Sequence, residues 1–115
     1  MQVALVEWLR FQWPDVLFTI APNGMKLSIG VAVKIKRMGY NKGTPDIEIF
    51  EPRGKYHGLF IELKTPDGVV SPDQRRWETA LVWRGYMVAV CRSINDAQET
   101  IETYLNIKKD EKWTL

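Results

Sequence analysis

The sequence predicts an α/β fold, a mixed sheet flanked by helices, in a single domain over residues 1–115. Segments with apolar residues at helical spacing alternate along the chain with short runs rich in β-branched residues. Two of those runs, Pro45 to Phe50 and Gly58 to Lys64, alternate with period two across the turn-rich Pro52-Arg53-Gly54, which predicts an antiparallel hairpin. At 115 residues there is room for one core, since domains commonly run to about 100–150 residues.

The first helix is expected over Val3 to Gln12, with Gln2, Val6, Leu9 and Trp13 along one face and Pro14 as its stop. Val16 to Ala21 then reads as a strand running into a turn at Pro22-Asn23-Gly24. Ser28 to Met38 is open between two readings. Val31, Ile35 and Met38 fit a helix face, whereas the β-branched content favours a strand; a helix stopped by Gly39 is the preferred one. After the hairpin, Ser71 is expected to cap a helix, with Pro72 at its first position and Gln74 completing a capping box. That helix continues through Trp77 and Leu81 to Arg84, and Gly85 ends it. Tyr86 to Cys91 is the most apolar strand and is expected at the centre of the sheet. Ser93 caps a last helix lined by Ile94, Ala97, Ile101 and Leu105.

Apolar residues at 45% and charged residues at 26% match ordinary globular usage, which excludes a disordered or fibrous chain. Five Trp, four Tyr and four Phe supply large burial without disulfides. The single cysteine, Cys91, has no internal bridging partner and sits in an apolar run, so it reads as a buried thiol. No stretch reaches the roughly 20 apolar residues of a membrane span, and the first residues lack the basic-then-apolar order of a signal peptide. A cytoplasmic location is therefore expected. A net charge of +2 and a pI near 8.7 do not by themselves point to nucleic acid. Local charge says more: Lys34, Lys36, Arg37 and Lys42 precede one acidic motif, and Arg75 and Arg76 follow another. Such a distribution suits an anionic substrate approaching an acidic site; a merely solvated basic face is the other reading.

The chemistry concentrates in the hairpin. Period two puts Asp46, Glu48 and Phe50 on one face of the first strand, and Phe60, Glu62 and Lys64 on one face of the second. Glu62 lies between apolar neighbours, where a carboxylate is costly unless compensated. Mg²⁺ is a natural compensation, because it takes one or two carboxylates together with water and phosphate. A cation between Asp46 and Glu62 could polarise a phosphodiester and acidify a water, with Lys64 orienting that water or stabilising charge on phosphorus. The carbonyl of Leu63, between the two functional side chains, is a candidate extra ligand.

Pro45-Asp46 followed by Glu62-Leu63-Lys64 resembles the signature of the PD-(D/E)XK nuclease superfamily. Pro22-Asn23-Gly24, Gly43-Thr44-Pro45-Asp46, Glu62-Leu63-Lys64-Thr65, Ser71-Pro72-Asp73-Gln74 and Gly85-Tyr86 together resemble the VRR-NUC domain, the virus-type replication-repair nuclease family. The likeness runs from about Gln2 to Leu105. It implies a restriction-endonuclease-like α-β-β-β-α-β core, metal ligation by Asp46 and Glu62, a catalytic Lys64, and Gln74 as an active-site glutamine. Many members carry a further glutamate near the start of the first helix, and Glu7 is the acidic residue available there. The implied activity is a Mg²⁺ or Mn²⁺ dependent DNA endonuclease. Branched DNA such as a Holliday junction, a homodimer and a phage or prophage origin in a bacterial host follow from the likeness to resolvases and from the small size. The rival is a non-catalytic nucleic-acid-binding module with the same fold, against which the intact Asp46, Glu62 and Lys64 argue.

Lys34, Lys36, Arg37, Lys42, Arg75, Arg76 and Asn23 are the candidate DNA contacts. Glu48 is expected to be exposed or to support the site indirectly, and His57 to be a loop residue. Trp8, Trp77 and Trp83 read as core or interface.

Overall fold

A computed structural model describes residues 1–23 and 25–113, so Gly24 of the expected turn lies outside the described residues. The elements run α1 (Gln2–Gln12), β1 (Phe18–Ile20), α2 (Ile29–Arg37), β2 (Ile47–Ile49), β3 (Leu59–Leu63), α3 (Pro72–Trp83), β4 (Met87–Cys91) and α4 (Ile94–Leu105). A short 3-10 turn follows at Glu111–Trp113. The strands form one mixed sheet in the order β1-β2-β3-β4, antiparallel from β1 to β3 and parallel between β3 and β4. This is the mixed-sheet α/β fold that the sequence predicts.

The register divides the sheet into two faces. Ile47 pairs with Ile61, Ile49 with Leu59 and Leu63 with Cys91, so the odd positions share a face. Leu5 and Leu9 of α1 and Ala97, Ile101, Tyr104 and Leu105 of α4 pack on that face and complete the core. Full burial of each leucine or isoleucine there contributes about 1.5–3 kcal/mol. The even positions Glu48, Phe60, Glu62, Val88 and Val90 point the other way, toward the side where α3 lies beside β4. The apolar face is thus spent on α1 and α4, and the polar side chains of the hairpin are left for α3 to meet.

Several expectations are corrected. The buried residues of α1 are Leu5 and Leu9, an i, i+4 pair, with Val6, Trp8 and Trp13 only partly buried around them. β1 is a short edge strand rather than Val16 to Ala21, with Leu17 and Ile20 exposed. β4 is the opposite edge, not the centre. Its continuous apolar run reflects cover by α3 on one face and α4 on the other, as is usual for a parallel strand. Trp83 is 84% exposed and so is no core residue.

The ambiguous segment is a helix, yet it buries none of its residues, and Val31 and Met38 of the expected inner face are exposed. Its ends hold it. Ser28 accepts from the Val31 N–H at the N-terminus. At the C-terminus Gly39 adopts φ 112°, its N–H donates to the Lys36 carbonyl, and the Tyr40 N–H donates to the Ile35 carbonyl. That is a complete Schellman closure, and it throws Tyr40 back toward the body of the protein.

Candidate active site

The site forms where the hairpin meets the N-terminus of α3. Glu48 faces Phe60 across β2 and β3, so one even step further sets Asp46 opposite Glu62. Both are buried, at 8% and 6% exposure. Each Asp46 oxygen accepts a hydrogen bond: Oδ2 from the Leu63 N–H at 2.7 Å and Oδ1 from Asn23 Nδ2 at 3.1 Å. The same Asn23 Nδ2 donates to the Thr44 carbonyl at 2.6 Å, and the Tyr40 hydroxyl donates to Asn23 Oδ1. On the other side, Gln74 Nε2 donates to Glu62 Oε1 at 2.6 Å.

Local sequence explains this convergence. Ser71 and Gln74 form the expected capping box, with Gln74 Oε1 accepting from the Ser71 N–H and Ser71 Oγ accepting from the Gln74 N–H. The box fixes the glutamine amide, leaving its Nε2 aimed at Glu62. Gly43, at φ 97°, lies against the backbone of Asp73; a Cβ there would meet the Asp73 carbonyl carbon at 2.7 Å. Only glycine lets the strand leading to Asp46 run this close to the start of α3. The same register sets Pro45 opposite Leu63. Proline has no N–H to give, so the Leu63 carbonyl has no ladder donor across from it. The Lys64 N–H bonds the Cys91 carbonyl in β4, so by strand alternation the Leu63 carbonyl points the opposite way, to the Asp46 side.

The electrostatics are strained. Glu62 is pushed up to about 8, first by burial, then by the charge of Asp46 and a hydrogen bond to it, with Glu78 adding a little; Lys64 pulls the other way. Burial also raises Glu48. Lys64 is half-buried and makes no ion pair with either carboxylate among the described residues. Two adjoining buried carboxyl groups with one offset ammonium lack compensation, which is the environment a divalent cation fits. The donor set suits Mg²⁺ or Mn²⁺: two carboxylates and a free carbonyl, with room for water and phosphate. Among the described residues no third Asp, Glu, His or Cys joins the pair.

The structure therefore brings together Asp46, Glu62, Leu63, Lys64, Gln74 and Asn23. Glu7 does not join the carboxylate pair among the described residues. It is exposed on α1 and lines a groove between α1 and β1 that Arg10 and Asn23 also line. Lys42 lines a cleft of about 310 Å³ beside the site, together with Asn23, Tyr40, Ser71 and Gln74. Lys34, Lys36 and Arg37 are exposed in the last turn of α2. Arg75 and Arg76 are exposed on α3, Arg76 in a surface pair with Asp73 at 3.1 Å. His57 is an exposed loop residue whose ring packs against Tyr86 and Trp113, away from the carboxylates. Tyr40 has no motif to announce it; only the expected stop at Gly39 hints that the chain turns back there.

The family model for the VRR-NUC domain matches residues 5–95. The chain belongs to the VRR-NUC family. A solved structure named VRR_NUC domain protein is similar in fold, at a TM-score of 0.79 and 28% identity over 94% of this chain and 87% of that one. Among curated proteins none matches the sequence. VRR-NUC membership implies a nuclease of the PD-(D/E)XK type with DNA as partner, and such nucleases generally use divalent metals. The carboxylate pair, Lys64 and Gln74 all fall inside the matched VRR-NUC span. No described helix is long and apolar enough to cross a membrane.

Proposed function

We propose that this protein is a Mg²⁺ or Mn²⁺ dependent DNA endonuclease that hydrolyses phosphodiester bonds by attack of water, with branched DNA as its preferred substrate. The observation that carries this reading is the placement of Asp46 and Glu62 side by side, with Lys64 two residues on along the same strand. Asp46, Glu62 and the Leu63 carbonyl would hold the cation, which when bound polarises the phosphate and acidifies a water. Lys64 orients the attacking water and offsets charge on the phosphoryl oxygens. Gln74 keeps Glu62 in place, and Asn23 does the same for Asp46.

Lys42 at the cleft, the basic last turn of α2 and Arg75 and Arg76 on α3 supply phosphate contacts around the acidic centre. A homodimer would set two such centres against two strands, and the exposed Ile29 and Val33 of α2, Met38 just after it and Trp83 of α3 offer apolar surface for it. A phage or prophage product acting in the bacterial cytoplasm is the setting that this activity suits.

The test is cleavage of a four-way junction, a flap, a linear duplex and supercoiled DNA with Mg²⁺, Mn²⁺ or EDTA. Cleavage confined to the divalent-metal reactions, fastest on the junction and lost in Lys64→Ala, is expected. Cutting in EDTA, or undiminished cutting by Lys64→Ala, would refute the mechanism.

A further inference from the structure

We infer that Tyr40 is a positioning residue for Asp46, acting through the side chain of Asn23; the inference rests on the nuclease reading of the site. Three contacts carry it. The Tyr40 hydroxyl donates to Asn23 Oδ1, the end of the amide left over once Nδ2 faces its two acceptors, and so anchors the side chain from behind. That Nδ2 then bridges the Thr44 carbonyl at 2.6 Å and Asp46 Oδ1 at 3.1 Å. The Leu63 N–H holds the remaining carboxylate oxygen at 2.7 Å. Asp46 is therefore clamped at both oxygens, one by the sheet and the other by a side-chain relay from a different part of the chain.

The relay has a structural origin in α2. That helix buries nothing, and its Schellman closure at Gly39 is what returns Tyr40, which is half-buried, to the body of the protein. Asn23 lies in the loop after β1, two residues beyond Ala21, whose N–H donates to the Asp46 carbonyl at 3.1 Å; the ladder brings the loop close but does not fix the Asn23 side chain. Without the Tyr40 hydroxyl the Asn23 side chain loses the anchor at its oxygen and is freer to swing away from the carboxylate. Asp46 Oδ1 then keeps its donor for less of the time, and the pre-set carboxylate is loosened. Groups that orient a metal ligand in this way are commonly worth tenfold to a hundredfold in metal affinity.

The experiment is a double-mutant cycle read by calorimetric titration of the metal-free protein with Mn²⁺, without DNA, on the parent, Tyr40→Phe, Asn23→Ala and the double variant. Tyr40→Phe removes one oxygen and keeps the ring, so its thermal midpoint should stay near that of the parent. The expected result is about tenfold weaker Mn²⁺ binding in Tyr40→Phe, a larger loss in Asn23→Ala, and no further loss when Tyr40→Phe is added to Asn23→Ala. Junction cleavage at saturating DNA should fall in Tyr40→Phe while the KM for DNA holds, because Tyr40 acts on the carboxylate and not on substrate. Parent-like Mn²⁺ binding by Tyr40→Phe would overturn the inference, as would losses in the two single variants that multiply in the double. If Asn23→Ala does not fold, the Tyr40→Phe titration and its KM against kcat split decide alone. A parent protein that takes up no Mn²⁺ defeats the nuclease reading itself and this inference with it. A parent that binds Mn²⁺ and cleaves, beside an indifferent Tyr40→Phe, defeats only the inference.

Discussion

Gln74 makes two hydrogen bonds at once: its Oε1 accepts from the Ser71 N–H at 2.8 Å, and its Nε2 donates to Glu62 Oε1 at 2.6 Å. A helix cap and an active-site contact are therefore the same side chain, and two substitutions separate them. Ser71→Ala removes the hydroxyl acceptor but leaves the Ser71 N–H that anchors Gln74. It should cost about 1 kcal/mol of stability and leave cleavage close to the parent rate. Gln74→Ala loses both bonds, so cleavage should fall about tenfold to a hundredfold beside a similar stability loss. Thermal melts paired with cleavage rates check both; equal rate losses in the two variants would show that Gln74 acts only through the helix.

The carboxyl of Glu62 lies well above its ordinary value of 4.5, at about 8, because it is buried beside Asp46. The folded protein thus keeps a proton that the unfolded chain gives up from about pH 4.5 onward. In metal-free protein this contribution to stability is fully present below pH 4.5, is lost progressively as pH rises, and is gone above about 8. Glu62→Gln carries no such titration, and its amide can still accept from Gln74. With EDTA the variant should match the parent near pH 4.5 and melt at least about 5 °C higher at pH 9. Mn²⁺ affinity of the parent should rise with pH up to about 8, since binding must displace that proton. A parent melting curve flat from pH 5 to 9 would contradict the site geometry.

Much of this was legible in the sequence for a physical reason. Period-two alternation through Pro45 to Phe50 and Gly58 to Lys64 fixes which side chains share a face, so the meeting of Asp46 and Glu62 needed only the hairpin to be right. The capping box at Ser71 and Gln74 is likewise local chemistry. What could not be read depends on contacts between distant segments. β4 is an edge strand that helices cover on both faces, so its sequence carries the same apolar run that a central strand would. Tyr40 reaches the site only because α2 closes at Gly39 and the loop carrying Asn23 comes to meet it. Glu7 is exposed on α1, whose buried residues are Leu5 and Leu9, and the register of that helix against the hairpin is a long-range matter that spacing alone does not fix.

Gly43 combines a positive φ of 97° with a 2.7 Å approach of its would-be Cβ to the Asp73 backbone. Gly43→Ala meets both penalties, and if the strand lead or the helix start yields, Asp46 shifts or Gln74 moves off Glu62. A loss of about 2 kcal/mol or more in chemical denaturation is expected, with a fall in Mn²⁺ affinity. Gly30 in α2 has open space around its Cβ direction and an ordinary φ. Gly30→Ala should stabilise by about 0.5–1 kcal/mol, so the pair of variants separates helix propensity from site geometry.

Lys34, Lys36 and Arg37 occupy the last turn of a helix whose residues are all outside the core, so their charges are free to meet phosphate. Replacing all three by alanine should leave the sheet untouched, with a modest loss from the α2 C-terminal dipole as the main structural cost. Each phosphate contact releases condensed counterions, and the logarithm of DNA affinity falls with the logarithm of salt by about 0.9 per contact. If all three side chains touch duplex phosphates, the triple variant's salt slope should be shallower by roughly 2 to 3, with Mn²⁺ affinity unchanged. Fluorescence anisotropy on labelled junction DNA in Ca²⁺ buffer, repeated across salt, reads that slope. An unaltered slope would assign the basic turn to solvent, because the electrostatic count does not depend on which DNA structure is bound.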